Sequence, residues 1–151
     1  MKNKSWLNYL IYLIQLVVLI YMDGYAEKLQ NNYGDQTYGF SFTLVALTIA
    51  IKVSIGLTMG TEHLTNEMKK VGIWTLNLPK ILVLVLPSLY FSISRLVAFV
   101  PSEFLLDLFV KPANQLFQNN TGFISIFQIL FGYFLITSLY KKSKPAVSTP
   151  N

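Results

Sequence analysis

The sequence predicts an all-α integral membrane protein, a bundle of four transmembrane helices with both termini cytoplasmic. Three observations carry that expectation. The 151-residue chain is 53% hydrophobic and only 13% charged, about half the charged share of a soluble domain. Its mean hydropathy is +0.48. A soluble core of this size cannot hide so much apolar surface, which makes lipid the expected solvent. Four stretches approach the roughly 20 apolar residues that a helix needs to cross a hydrocarbon core. Finally, the basic residues alternate between loops in the sense of the positive-inside rule.

The spans are expected at about 6–22, 38–60, 81–100 and 123–140, within one membrane domain covering 1–140. Polar, turn-rich connections separate them, "DGYAEKLQNNYGDQ" at Asp23–Gln36 and "QNNTG" at Gln118–Gly122. The tail "KKSKPAVSTPN" at 141–151 is polar, basic and Pro-containing, and reads as a disordered cytoplasmic segment. Lys2 and Lys4 precede the first span, Lys69, Lys70 and Lys80 separate the second from the third, and Lys141, Lys142 and Lys144 follow the fourth. The other two loops hold only Lys28 and Lys111, against Asp23, Glu27, Asp35, Glu103 and Asp107. An even number of crossings is what puts all three basic segments on one side, and a plasma-membrane protein with a cytoplasmic N- and C-terminus satisfies every loop. A competing reading takes Lys2, Lys4 and the run from Trp6 as a signal peptide, with Gly24 and Ala26 imitating the cleavage site. The run of about 17 residues is longer than the usual 7–15-residue signal core.

Two interfacial helices are expected, at 62–74 and 101–117. "PSEFLLDLFVKP" places Ser102 as N-cap and Phe104, Leu105, Leu108 and Phe109 on one apolar face. "EHLTNEMKKVGIW" places Glu67 and Lys70 at helical pairing distance, with Trp74 suited to a headgroup boundary.

At 100° per residue each span shows one polar or small stripe. The first has Asn8, Tyr12 and Gln15; the second Ser41, Thr48, Lys52, Gly56 and Gly60; the third Ser88, Ser92 and Arg95; the fourth Thr121, Ser125, Gln128 and Gly132. Together they predict an intramembrane polar seam of Gln15, Lys52, Ser88, Ser92, Arg95 and Gln128, with Gly56, Gly60 and Gly132 as packing positions. Gly56 and Gly60 form a GxxxG whose preferred use is packing within the chain rather than dimerisation. Thr43, Ala50 and Ser54 make a second small face, so the second span should be the most enclosed.

Lys52 is the anomaly of that span. It lies about 12 Å along the helix from Gly60, too deep for full snorkelling. A charge near the bilayer centre costs on the order of 2.5–3.5 kcal/mol on insertion scales. None of the expected spans contains a carboxylate, so its partner would be local hydroxyls and Gln15, loss of its proton, or an anion from outside the chain. That anion would be a lipid, a solute or a carboxylate of another membrane protein. Arg95 is about 8 Å from Val100, within reach of headgroups or of Asp23.

Several chemistries are excluded. With no cysteine there is no thiolate, and His63 with Glu67 falls short of the three or four protein ligands of a metal site. No phosphate-cradling glycine loop or nucleophile elbow occurs. No cofactor is implied, no catalytic residue is assigned, and the basic residues cluster at the edges of apolar segments, as topology determinants rather than a nucleic-acid face. "NNT" at Asn119–Thr121 matches a glycosylation acceptor. The expected function is therefore non-enzymatic: an accessory or regulatory subunit acting through helix contacts. The alternative is a small oligomeric transporter or channel binding an anionic solute along Lys52 and Arg95, and a membrane-embedded enzyme comes third. Partners are the bilayer, another membrane protein or anion at Lys52, and in an oligomer a second copy.

Overall fold

The structure, a computed structural model, describes residues 3–37, 39–117 and 121–142, with side chains described for all of these except 3–8, 117 and 121. It is all-α, with five helical segments and one short two-stranded ribbon. Helices α1 (Asn3–Thr37), α2 (Phe42–Met68) and α3 (Leu78–Val97) are each long and apolar enough to cross a membrane. A segment spanning 103–117 follows as α4, and α5 (Thr121–Thr137) closes the bundle with 17 residues. Strands β1 (Ile73–Leu76) and β2 (Leu139–Lys142) pair antiparallel. The chain is a membrane protein.

Three expectations change. Asp23–Gln36 is not a turn-rich loop but the second half of α1, which is about 52 Å long at helical rise. Gly24, Asn31, Asn32 and Gly34 favour turns, but the good helix formers Ala26, Glu27, Lys28, Leu29 and Gln30 lie among them. The inward stripe Tyr12–Leu16–Leu19–Asp23–Ala26–Gln30 also continues at heptad spacing without a break. The expected interfacial helix at 62–74 is divided: α2 runs on to Met68, and Ile73–Leu76 is a strand. Gly72 and the alternating β-branched and aromatic residues after it suit an extended ribbon. The fourth apolar helix ends at Thr137 rather than Tyr140, and Lys141 and Lys142 belong to β2 instead of a disordered tail. Lys2, Lys144 and the Asn119 glycosylation acceptor lie outside the described residues, as does the rest of the tail, and Lys4 is described by its backbone alone, within α1.

Prolines mark the irregular turns. In α3 a π-helical turn at Ile81–Val85 precedes Pro87, and in α4 another at Leu106–Val110 precedes Pro112. Pro112 has no N–H for the Leu108 carbonyl one turn back, and the Tyr90 hydroxyl donates to that carbonyl from α3. Asn77 caps α3, its side chain accepting from Lys80 N–H at 3.2 Å, with Pro79 in the first turn.

Helix α2 is the most enclosed of the long helices, with α1 on one side and α5 on the other. Its glycines explain the second contact. A Cβ on Gly56 would overlap the Ile129 carbonyl, one on Gly132 the Val53 carbonyl, and one on Gly60 the Ile136 side chain. The two backbones touch, so the GxxxG is consumed inside the chain.

The end of the bundle that holds Lys69, Lys70, Lys80 and Lys141 is laced together. Lys141 Nζ donates to the carbonyls of Met68 and Lys70 at 3.1 and 2.9 Å, capping α2 as a cation caps a helix C-terminus. It also lies over the Trp74 ring, 5.1 Å from its centre. Lys80 Nζ donates to Thr137 O and Oγ1 at 3.1 and 2.8 Å, doing the same for α5. Glu67 accepts from Lys141 N–H at 2.9 Å and from Lys70 Nζ. Those bonds hold its carboxyl below the ordinary value of 4.5, the backbone N–H of Lys141 contributing most. Glu67 sits in the polar stretch after Gly60, past the apolar part of α2.

Candidate functional site

The expected polar seam is divided into separate places. Lys52 is buried on the α1-facing side of α2, and its ammonium donates to Asp23 Oδ1 at 2.7 Å and Glu27 Oε1 at 2.8 Å. The premise that no carboxylate stands near it is therefore overturned. Asp23 and Glu27 are one turn apart on α1, which brings both acids to one amine. The Asp23 side chain is 19% exposed and that of Glu27 52%, so the pair grades from the helix interface to its rim. Two carboxylates face one ammonium, leaving one formal negative charge in excess. Lys52 lies about 15 Å along α2 from Phe42 and the same from Glu62, midway along the apolar part. One turn farther along the same α1 stripe, Gln30 is buried with neither amide atom bonded among the described residues.

Ser88, Ser92 and Gln128 meet between α3 and α5. All three are fully buried, and the Gln128 amide donates to Ser92 O at 3.4 Å. Ser92 and Ser88 hydroxyls turn back onto their own helix, Ser92 Oγ donating to Ser88 O at 2.6 Å and Ser88 Oγ to Leu84 O at 2.7 Å. Their small, self-satisfied side chains let the helices approach, and the result is a packed helix–helix contact.

Gln15 is exposed on α1, away from both clusters, while Tyr12 beside it is half-buried. Arg95 is half-buried at the end of α3 opposite the basic knot. It makes no ion pair with Asp23, which Lys52 holds. It lines a cavity of about 360 Å³ with Phe40, Phe99, Val110, Asn114 and Ile124 among its walls. His63 Nε2 lies 3.1 Å from Leu139 O. Among the described residues no group of three or more His, Asp or Glu is placed to hold a metal ion.

Sequence reasoning missed Asp23 and Glu27 because it ended the first helix at the first polar pair. The signal was present in their i,i+4 spacing, matched by a single buried amine on the next helix. Compared with known proteins, the chain matches no family model, no curated protein and no solved structure.

Proposed function

We propose that this is a four-span plasma-membrane protein with both termini cytoplasmic that acts without catalysis, as an accessory or regulatory subunit docking through α1. The observation that carries this reading is the outer surface of α1. Only one stripe of that helix is covered by α2, and Ile11, Ile14, Val17, Val18 and Tyr21 stand exposed beside the polar Gln15. An amide placed on a lipid-facing surface is satisfied when it bonds across to another helix. The packing glycines are already used between α2 and α5, and the outer face of α1 is open to a second protein. The short α5 supports the fourth crossing: its 17 residues are about 26 Å long, and β2 and its lysines follow at the basic end.

The transport reading drew on Lys52 and Arg95 lying along one path. They are set apart, and the Lys52 ammonium is engaged within the chain, which favours the accessory role.

A photo-crosslinking residue placed at Ile14 or Val18 in native membranes tests the proposal. Adducts to another polypeptide are expected there and not from Leu19, which faces α2. If Ile14 and Val18 give only lipid adducts, the accessory role fails. A reporter fused after Lys142 and read as extracellular would remove the topology.

A further inference from the structure

The cavity beside Arg95 has the make-up of a ligand site. Its walls come from four elements: Phe40 just before α2, Arg95 and Phe99 at the end of α3, Val110 and Asn114 on α4, and Ile124 on α5. The volume of about 360 Å³ is within the range of small-molecule sites. All of it lies at the end of the bundle away from Lys80, since Arg95 is about 22 Å farther along α3. The Arg95 guanidinium makes no ion pair and donates no hydrogen bond among the described residues. No carboxylate among the described residues lines the cavity. The acid on α4 nearest in sequence to Val110, Asp107, is bonded to Lys111 at 2.6 Å. The site thus sets a fork-shaped cation with no partner among the described residues, the Asn114 amide and the Ser94 hydroxyl, which donates to Phe91 O, against aromatic and aliphatic walls.

We infer that this half-open cavity seats part of one phospholipid, its phosphodiester on Arg95 and Asn114 and the first part of one acyl chain against Phe40, Phe99, Val110 and Ile124, while the rest of the lipid stays in the bilayer. The charge argues for a phosphate, because the planar guanidinium offers two parallel donors to such an oxyanion. The walls argue for a lipid over a free ion, because inorganic phosphate would leave the apolar lining wet. Position agrees as well: a cation near a helix end lies at headgroup depth. This inference requires the membrane embedding but not the accessory role, and it stands or falls separately from α1 docking.

The test is native mass spectrometry of the full chain released from nanodiscs of phosphatidylglycerol and phosphatidylcholine. One retained phospholipid is expected on the unaltered protein. Arg95→Gln should reduce that bound fraction about ten-fold or more, as loss of a charge-assisted bond does, and Arg95→Lys should retain part of it. Inorganic phosphate in large excess should leave the lipid in place. Equal retention by Arg95→Gln, or displacement by inorganic phosphate, overturns the inference. Should Arg95→Gln fail to fold, Val110→Trp fills the apolar part while keeping the cation. Loss of lipid from that variant supports the site, and undiminished lipid overturns it.

Discussion

Replacing Lys52 by methionine keeps the unbranched shape of the side chain, one atom shorter, and removes its charge. The ammonium donates to two carboxylates at 2.7 and 2.8 Å and is itself buried. Without it, Asp23 and Glu27 remain one turn apart on the α1 surface, two negative groups with no counter-charge. Removing one partner of a buried pair costs about 3–5 kcal/mol, because the remaining charge stays desolvated. Half of the Glu27 side chain is exposed and can shed part of that strain, which places the expected loss at the lower end, about 3 kcal/mol. For a chain of this length that corresponds to a fall in Tm of roughly 6–12 °C. Thermal unfolding in mild detergent, followed by circular dichroism, measures it. The all-neutral combination of Lys52→Met, Asp23→Asn and Glu27→Gln should recover most of the loss, since neutral replacement of a whole buried cluster is often harmless. A Lys52→Met variant that melts within about 2 °C of the parent, against the shift expected for a buried charge, would refute the structural role of the cluster. So would a triple variant no more stable than Lys52→Met alone.

Other perturbations separate parts of the bundle. Gly132→Ala should destabilise by about 1–3 kcal/mol or prevent folding, as overpacking does, because its Cβ would meet the Val53 carbonyl. Gly24→Ala should be neutral or gain up to about 1 kcal/mol as a helix former, since nothing lies within 4 Å of a Cβ there; both are read by the same melts. The Gln128 amide bond is long at 3.4 Å, so Gln128→Leu should change stability by less than about 1 kcal/mol, the usual scale of such intramembrane bonds. Because bonding lowers the Glu67 carboxyl below 4.5, its contribution is present above that value and lost as pH falls through the depressed one. Trp74 fluorescence, in a Trp6→Phe background, should therefore hold steady near neutrality and change only in acid below pH 4.5. Glu67→Gln should abolish that transition, and its persistence would assign the change elsewhere.

The membrane class, the helix-forming stretches and the glycine contacts were legible in the residues themselves. Composition and span length depend on the solvent alone, and a GxxxG beside a second small face says that backbones will approach. The serines and Gln128 were legible for the same reason, as polar groups on otherwise apolar helices. What the residues could not reveal was which helix meets which face. A polar stripe is defined only about its own helix axis, so the four stripes point to one seam with Gln15 inward where the packed bundle has separate places and an exposed Gln15. Only packing against α2 decided that Asp23 and Glu27 stay helical and meet Lys52. Propensity within Asp23–Gln36 is mixed, and a buried amine across the interface favours a continuous helix that delivers both acids. The β1–β2 ribbon is likewise a tertiary product, because two four-residue strands 62 residues apart are each too short to persist alone. Local sequence determined that Lys52 must be compensated, since a charge deep in hydrocarbon is costly wherever it occurs. The tertiary structure decided that the compensation is internal to the chain and left Arg95, at the far end of α3, without an ion pair among the described residues.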